Sequence, residues 1–164
     1  MKRRCNLLND NILEKLQGGL PAIALPSITA LNSAFCNDVD PELVYAQSLM
    51  SLARENDVLI AISTSGNSKN VYCCAMVAKS LGIKVIGLTG KLKTVADICI
   101  CVPENETYKI QELHLPIYHC ICAAVEKYFL IRLILTEMFS IGWIYGGGLE
   151  EGDKNDIHIV NLQQ

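Results

Sequence analysis

Four short runs of this chain are apolar at nearly every position: residues 20–25, 57–62, 84–89 and 97–102. None alternates strictly between apolar and polar. A strand with one wet face would alternate, so these runs read as strands covered on both sides. Between most of them lie stretches of helical character. Residues 70–81 make one helix, closed by Gly82. Asp40 and Pro41 supply the cap and first position of another, running to about Arg54. Residues 9–17 suit a short helix ended by Gly18 and Gly19, and residues 108–129 a long one. Pro116 falls inside the long helix and should interrupt it, because proline donates no backbone N–H. Residues 27–35 show no clear period, and the stretch from Asn37 to Pro41 reads as a turn. Buried strands alternating with helices predict a parallel, doubly wound sheet in a three-layer α/β/α sandwich. Ligands of such a sheet bind beyond the carboxyl ends of its strands.

At the carboxyl end of the second run stands Ser63-Thr64-Ser65-Gly66-Asn67-Ser68, directly before a helix. The first amides of a helix have no intrahelical partner, and the helix dipole favours an anion there. Hydroxyls add neutral donors, and Gly66 lets the backbone turn tightly. An ordinary capped turn could use the same residues. Three serines, a threonine and a glycine within six positions favour a phosphate.

Composition narrows the picture. The 164 residues are 51% apolar and 19% charged, which suits one globular domain with a real core. A net charge of -3 supplies no basic field for nucleic acid, so a phosphate site has to be local. The apolar stretch 120–145 contains Glu126, Lys127, Arg132 and Glu137 and does not read as a membrane span. Eight cysteines sit mostly inside apolar runs and read as buried, reduced thiols of a cytoplasmic protein. They occur as C-x-C pairs rather than zinc knuckles.

Several segments resemble the sugar isomerase (SIS) domain family, and within it the heptose phosphate isomerases. They are residues 20–25, Asn37-Asp38, residues 57–68, Leu88 to Lys91, Ala96-Asp97, Val102-Pro103, and the Gln-Glu-x-His-x-x-x-x-His run from Gln111 to His119. The resemblance covers about residues 16–129. It implies a flavodoxin-like SIS fold and an aldose–ketose isomerase acting on sedoheptulose 7-phosphate. It implies that Ser63, Thr64, Ser65 and Ser68 bind the sugar phosphate and that Asn37 and Asp38 contact substrate hydroxyls. Gln111 and His119 would join the catalytic centre, where family members can hold zinc, and the family works as a homotetramer with sites between subunits. The family's opening helices, its first strand with a Gly-Asn-Gly-Gly-Ser loop, and a helix bearing a site histidine and glutamate find no match here. The reading is therefore a SIS domain without its first βα unit, whose strand is central in such sheets. The loop after Gly90 is also a few residues short. Residues 1–19 form a polar lead segment, 20–130 the partial domain, and 131–164 a tail without family resemblance.

The residues set geometric terms for the chemistry. Isomerisation through an enediolate needs a group to take a proton beside the carbonyl and one to serve the oxygen. An imidazole suits either task or binding a metal, and His119 is the candidate for these roles. His114 lies roughly 140° around a helix from His119 and reads as structural or interfacial. Gln111 and His119 stand about 12 Å apart along a straight helix, too far for one metal within one chain. A kink at Pro116, a start of the helix after Gln111, or ligands from two subunits would resolve this. A catalytic zinc takes three protein ligands, and this chain offers at most these two. The alternatives to an isomerase are a non-catalytic sugar-phosphate-binding module and an inactive fragment. The cluster from Asp153 to Asp156 reads as a solvated loop.

Overall fold

The computed structural model describes residues 10–16, 19–90, 95–142 and 159–162, with the backbone alone described at residues 10, 13, 14 and beyond 129. In chain order the elements are α1 (Asp10–Lys15), β1 (Ala22–Ala24), a 3-10 turn (Leu25–Ser27), α2 (Thr29–Asp38), α3 (Val44–Leu52), β2 (Val58–Ser63), α4 (Lys69–Ser80), β3 (Lys84–Thr89), β4 (Ile98–Cys101), α5 (Thr107–Gly142) and β5 (Ile159–Leu162). The strands form one sheet in the order β1-β5-β2-β3-β4. Every neighbouring pair is parallel.

The near-continuous apolar runs are explained by cover on both faces. In β2, Leu59 and Ala61 pack with Leu49 of α3 and with Val71, Cys74, Ala75 and Ala78 of α4. The alternate residues Ile60 and Ile62 pack with Leu88 on the other face, where Ile117 and Tyr118 of α5 lie. The doubly wound α/β/α expectation is thus met. Two local devices set the strand starts. Asp57 is buried, accepts the Arg54 amide at 2.7 Å and donates its own amide to the Arg54 carbonyl. Asp97 does the same between strands: its amide donates to the Val85 carbonyl at 2.9 Å, and its carboxylate accepts the Val85 amide at 2.8 Å.

The structure revises several expectations. α5 runs through Pro116 without interruption and continues to Gly142. A single missing N–H removes one rung of the ladder, and the turns on either side carry the helix across it. Asn37 and Asp38 close α2 rather than forming a turn; the corner follows, with the Glu42 amide donating to Asp40 Oδ1 at 2.8 Å. α3 begins at Val44, after that corner. Among the described cysteines, all free, only Cys74 is buried; Cys36, Cys99, Cys101, Cys120 and Cys122 are exposed. The pairs lie on the edge strand β4 and on α5, whose outer surfaces nothing described covers. Burial, with Cys73 alongside, pushes the Cys74 thiol up to about 12.

The segment beyond residue 131 supplies more than a tail. Ile159–Leu162 takes an interior place in the sheet, between β1 and β2, with Ile159 opposite both Ala22 and Val58 and Asn161 opposite both Ala24 and Ile60. β1 and β2 make no pairing with each other. The cluster from Asp153 to Asp156, Cys5 and the polar residues 1–9 lie outside the described residues.

Both the inserted strand β5 and the Asp97 bridge can be probed by substitution. Val160→Pro removes a ladder donor from the strand that joins β1 to β2, and a buried carbonyl left without its partner costs on the order of 1–3 kcal/mol. Urea denaturation should show that loss; an unchanged midpoint would place residue 160 outside the sheet. The Asp97 carboxyl is held below its ordinary value by the Val85 amide and by Lys79, 3.5 Å away. A depressed carboxyl stabilises the fold above about pH 4 and ceases to do so as pH falls through its folded value. Melting temperature should therefore fall on acidification below about pH 4, and Asp97→Asn should flatten that limb.

Candidate functional site

β2 ends at Ser63 and α4 begins at Lys69, so residues 64–68 cross from the carboxyl edge of the sheet to a helix start. Gly66 has φ 67°, the left-handed region that favours glycine. Its amide donates to the Ser63 carbonyl at 3.1 Å, closing a tight turn. Ser65 Oγ accepts the Asn67 amide at 3.1 Å, a local support for the same turn. Ser63 Oγ donates to Ser68 Oγ at 3.0 Å, joining the two ends of the loop. Ser68 occupies the cap position of α4 yet makes no side-chain cap hydrogen bond. Ser68 therefore does not cap the helix through its side chain, and in the first turn of α4 the Val71 amide donates to Asn70 Oδ1 at 2.8 Å, so a ligand over the loop would meet the amides ahead of it.

The register of β2 and β3 sets Ser63 opposite Thr89. Ser63, Gly66 and Ser68 share with Thr89 and Tyr72 a cavity of about 20 Å³. That is room for a single water, so a phosphate would sit over the loop rather than within the cavity. Past Thr89 the Gly90 amide donates to the Thr64 carbonyl at 3.1 Å. A Cβ on Gly90 would lie 2.9 Å from that carbonyl oxygen and would meet Ile110 of α5. The close approach of three elements at this corner requires glycine.

The charged surroundings are modest. Lys69, in the first turn of α4, pairs with Glu42 at 2.9 Å, both well exposed. That bond, with Asp40 nearby, holds the Lys69 ammonium above its ordinary value. The ion pair brings the corner after α2 to the start of α4, one short step beyond Asn37 and Asp38. Both of those side chains are exposed and neither hydrogen-bonds to the loop.

On α5 the expected pair does not converge. Gln111 and His119 are both exposed on one uninterrupted helix, and the His119 ring stands edge-on to Tyr118, with ring centroids 5.0 Å apart. Among the described residues no three His, Cys, Asp or Glu side chains gather. One chain thus does not fit a zinc ion with Gln111 and His119. The structure brings Ser63 and Ser68 together with Thr89 at one cavity, which Asn37, Asp38, Gln111 and His119 do not line. Tyr72 and Thr89 at the cavity, and His114 behind it, gave little local signal. A hydroxyl and a glycine ending a strand were the clue available for Thr89 and Gly90.

A parallel sheet with a hydroxyl-lined strand-to-helix turn at its carboxyl edge defines a doubly wound α/β domain, and comparison with known proteins narrows the class. The SIS domain family matches residues 13–90. The chain carries a SIS domain and is a homologue of phosphoheptose isomerases. It is 42% identical over 115 residues to the phosphoheptose isomerase of Helicobacter pylori (strain Shi470), covering 68% of this chain and 60% of that protein. It is 43% identical over 120 residues to that of a Nitratiruptor species, covering 71% and 64%. The solved phosphoheptose isomerase of Francisella tularensis superposes with a TM-score of 0.65 at 34% identity, over 74% of this chain and 66% of that one. The chain thus spans about three fifths of the length of the curated relatives it matches.

The loop geometry itself can be tested. Gly66→Ala places a Cβ on a left-handed backbone and should cost about 1–2 kcal/mol, read as a lower denaturation midpoint. An unchanged midpoint would mean the turn does not adopt this conformation.

Proposed function

We propose that this chain is the phosphate-anchoring part of an aldose–ketose isomerase acting on sedoheptulose 7-phosphate. The observation that carries the reading is the 63–68 loop, with Ser63 and Ser68 hydroxyls 3.0 Å apart at the start of α4 and Gly66 in the left-handed region. Ser63, Thr64, Ser65 and Ser68 and the α4 amides bind the phosphate. The anchor supplies binding and register and takes no part in proton transfer. Asn37 and Asp38 bind substrate hydroxyls near the corner that Glu42 ties to Lys69.

The chemistry moves one proton from the carbon beside the ketose carbonyl to the former carbonyl carbon, through an enediolate, while the hydroxyl proton on that first carbon passes to the former carbonyl oxygen. His119 is the group of this chain that can give or take that proton at its ring. Its exposed place on α5, with that of Gln111, suits a site completed by a second copy. The reading therefore includes a homo-oligomer, a tetramer as the family resemblance implies. Any zinc ion would likewise need ligands from outside this one chain, and no step is assigned to it. That His119 does not line the cavity at the loop favours a second reading, a non-catalytic module that binds sugar phosphate.

Turnover of sedoheptulose 7-phosphate by the purified chain, with and without added zinc, tests the proposal. His119→Gln should lower kcat by about a hundredfold or more. Ser68→Ala should mainly weaken binding, by about tenfold for one hydrogen bond to a charged group. Thermal stabilisation by the sugar phosphate without any turnover would sink the enzyme reading in favour of the binding module.

A further inference from the structure

α3 ends at Leu52, shortly before β2 opens at Val58, and α4 begins at Lys69, shortly after β2 closes at Ser63. Both helices pack on the same face of β2. Glu42, just before α3, and Lys69, the first residue of α4, therefore both stand at the carboxyl edge of the sheet, where its ligands bind. Lys69 follows Ser68 directly, so its ammonium is tethered beside the hydroxyls of the 63–68 loop. A cation in the first turn of a helix works against the helix dipole, which is positive at that end. α4 has no acidic residue in its first turn to offset it. The counter-charge comes from across the corner, where Lys69 Nζ meets Glu42 Oε1 at 2.9 Å. The lysine side chain is 74% exposed and the glutamate 46%. An ion pair so open to water stabilises a fold little and exchanges its partners easily. The corner does not depend on it, because the Glu42 amide is held separately by Asp40 Oδ1 at 2.8 Å. Fold stability thus gives a weak account of a lysine at this position, and a cation kept in reserve beside an anion site gives a better one.

We propose that Lys69 is a further anion-binding residue of this site, and that Glu42 is the internal counter-ion it leaves when a phosphate arrives. The inference rests on the phosphate-anchoring reading and deepens it. The hydroxyls and backbone amides of the loop are neutral donors, and Lys69 adds the charge they lack. A phosphate monoester carries about two negative charges near neutral pH. At equal distance it draws the ammonium more strongly than the single carboxylate of Glu42 does. Glu42 thereby sets a threshold, since a neutral sugar has nothing with which to open the pair.

The test is titration of wild type, Lys69→Gln and Glu42→Gln with inorganic phosphate, followed by thermal shift. Lys69→Gln should bind phosphate about threefold or more weakly, and Glu42→Gln about threefold or more tightly, the scale of one exposed charge pair. Melting temperatures in phosphate-free buffer should stay near wild type, since both side chains lie at the surface. Loss of any negative charge near the loop would also tighten binding, so a second readout follows Lys69 itself. In Glu42→Gln, phosphate should slow acetylation of Lys69 by acetic anhydride, read by mass spectrometry, and leave Lys84, at the amino end of β3, unchanged. Wild-type phosphate affinity in Lys69→Gln, or in Glu42→Gln, overturns the exchange while leaving the anion site in place. A Lys69 acetylated at the same rate with and without phosphate does so too. A wild-type chain that does not respond to phosphate overturns the anchoring reading itself, and this inference with it.

Discussion

The ladder between β2 and β3 holds six residues in parallel register, from Val58 opposite Lys84 to Ser63 opposite Thr89. Each further feature of the site inherits its place from that register. Because both strands end at the same level, their following loops leave the sheet side by side, and Gly90 can reach the Thr64 carbonyl. A slip of one residue would exchange the faces of every β2 side chain. Ile60 and Ile62 would turn toward α4, and Ser63 would leave the cavity it shares with Thr89. The apolar residues on both faces are what forbid that slip, so the core specifies the polar site without contributing an atom to its chemistry.

The part of this architecture that could be read from the sequence is the part made by short-range rules. Unbroken apolar runs located β2 and β3, and a glycine at the right distance closed α4. The 63–68 loop was readable because hydroxyls, glycine and a helix start fall within six positions. Errors came where a local signal competed with context. Pro116 looked like a break, yet α5 continues because packing along Ile110, His114, Ile117 and Tyr118 outweighs one missing donor. Asn37 and Asp38 looked like turn residues but finish a helix, a position in which short polar side chains are equally at home. The cysteines looked like core from their apolar neighbours, whereas an edge strand and an outward helix face leave most of the described ones exposed.

The site was less readable than the fold, for a geometric reason. The hydroxyls of the loop are neighbours in sequence and so are neighbours in space. His119 and Gln111 belong to a helix that approaches the sheet from the opposite face, and nothing in their spacing says what they meet. His114 carries the reverse lesson. Five positions from His119, it resembles it chemically, but the helical turn sends one ring to the sheet and the other to the surface.

β5 lies inside the sheet between β1 and β2, yet its partner β2 precedes it by about a hundred residues and β1 by more. Such long-range pairing makes assembly slow, since loop closure must come before any contact rewards it. Until that closure happens, β1 and β2 each present an open edge of unpaired backbone groups, a template for another chain. A ribosome would expose both edges for as long as it takes to make the intervening hundred or so residues. Chaperone dependence and losses to aggregation during synthesis, more than equilibrium stability, would then govern how much folded protein a cell obtains.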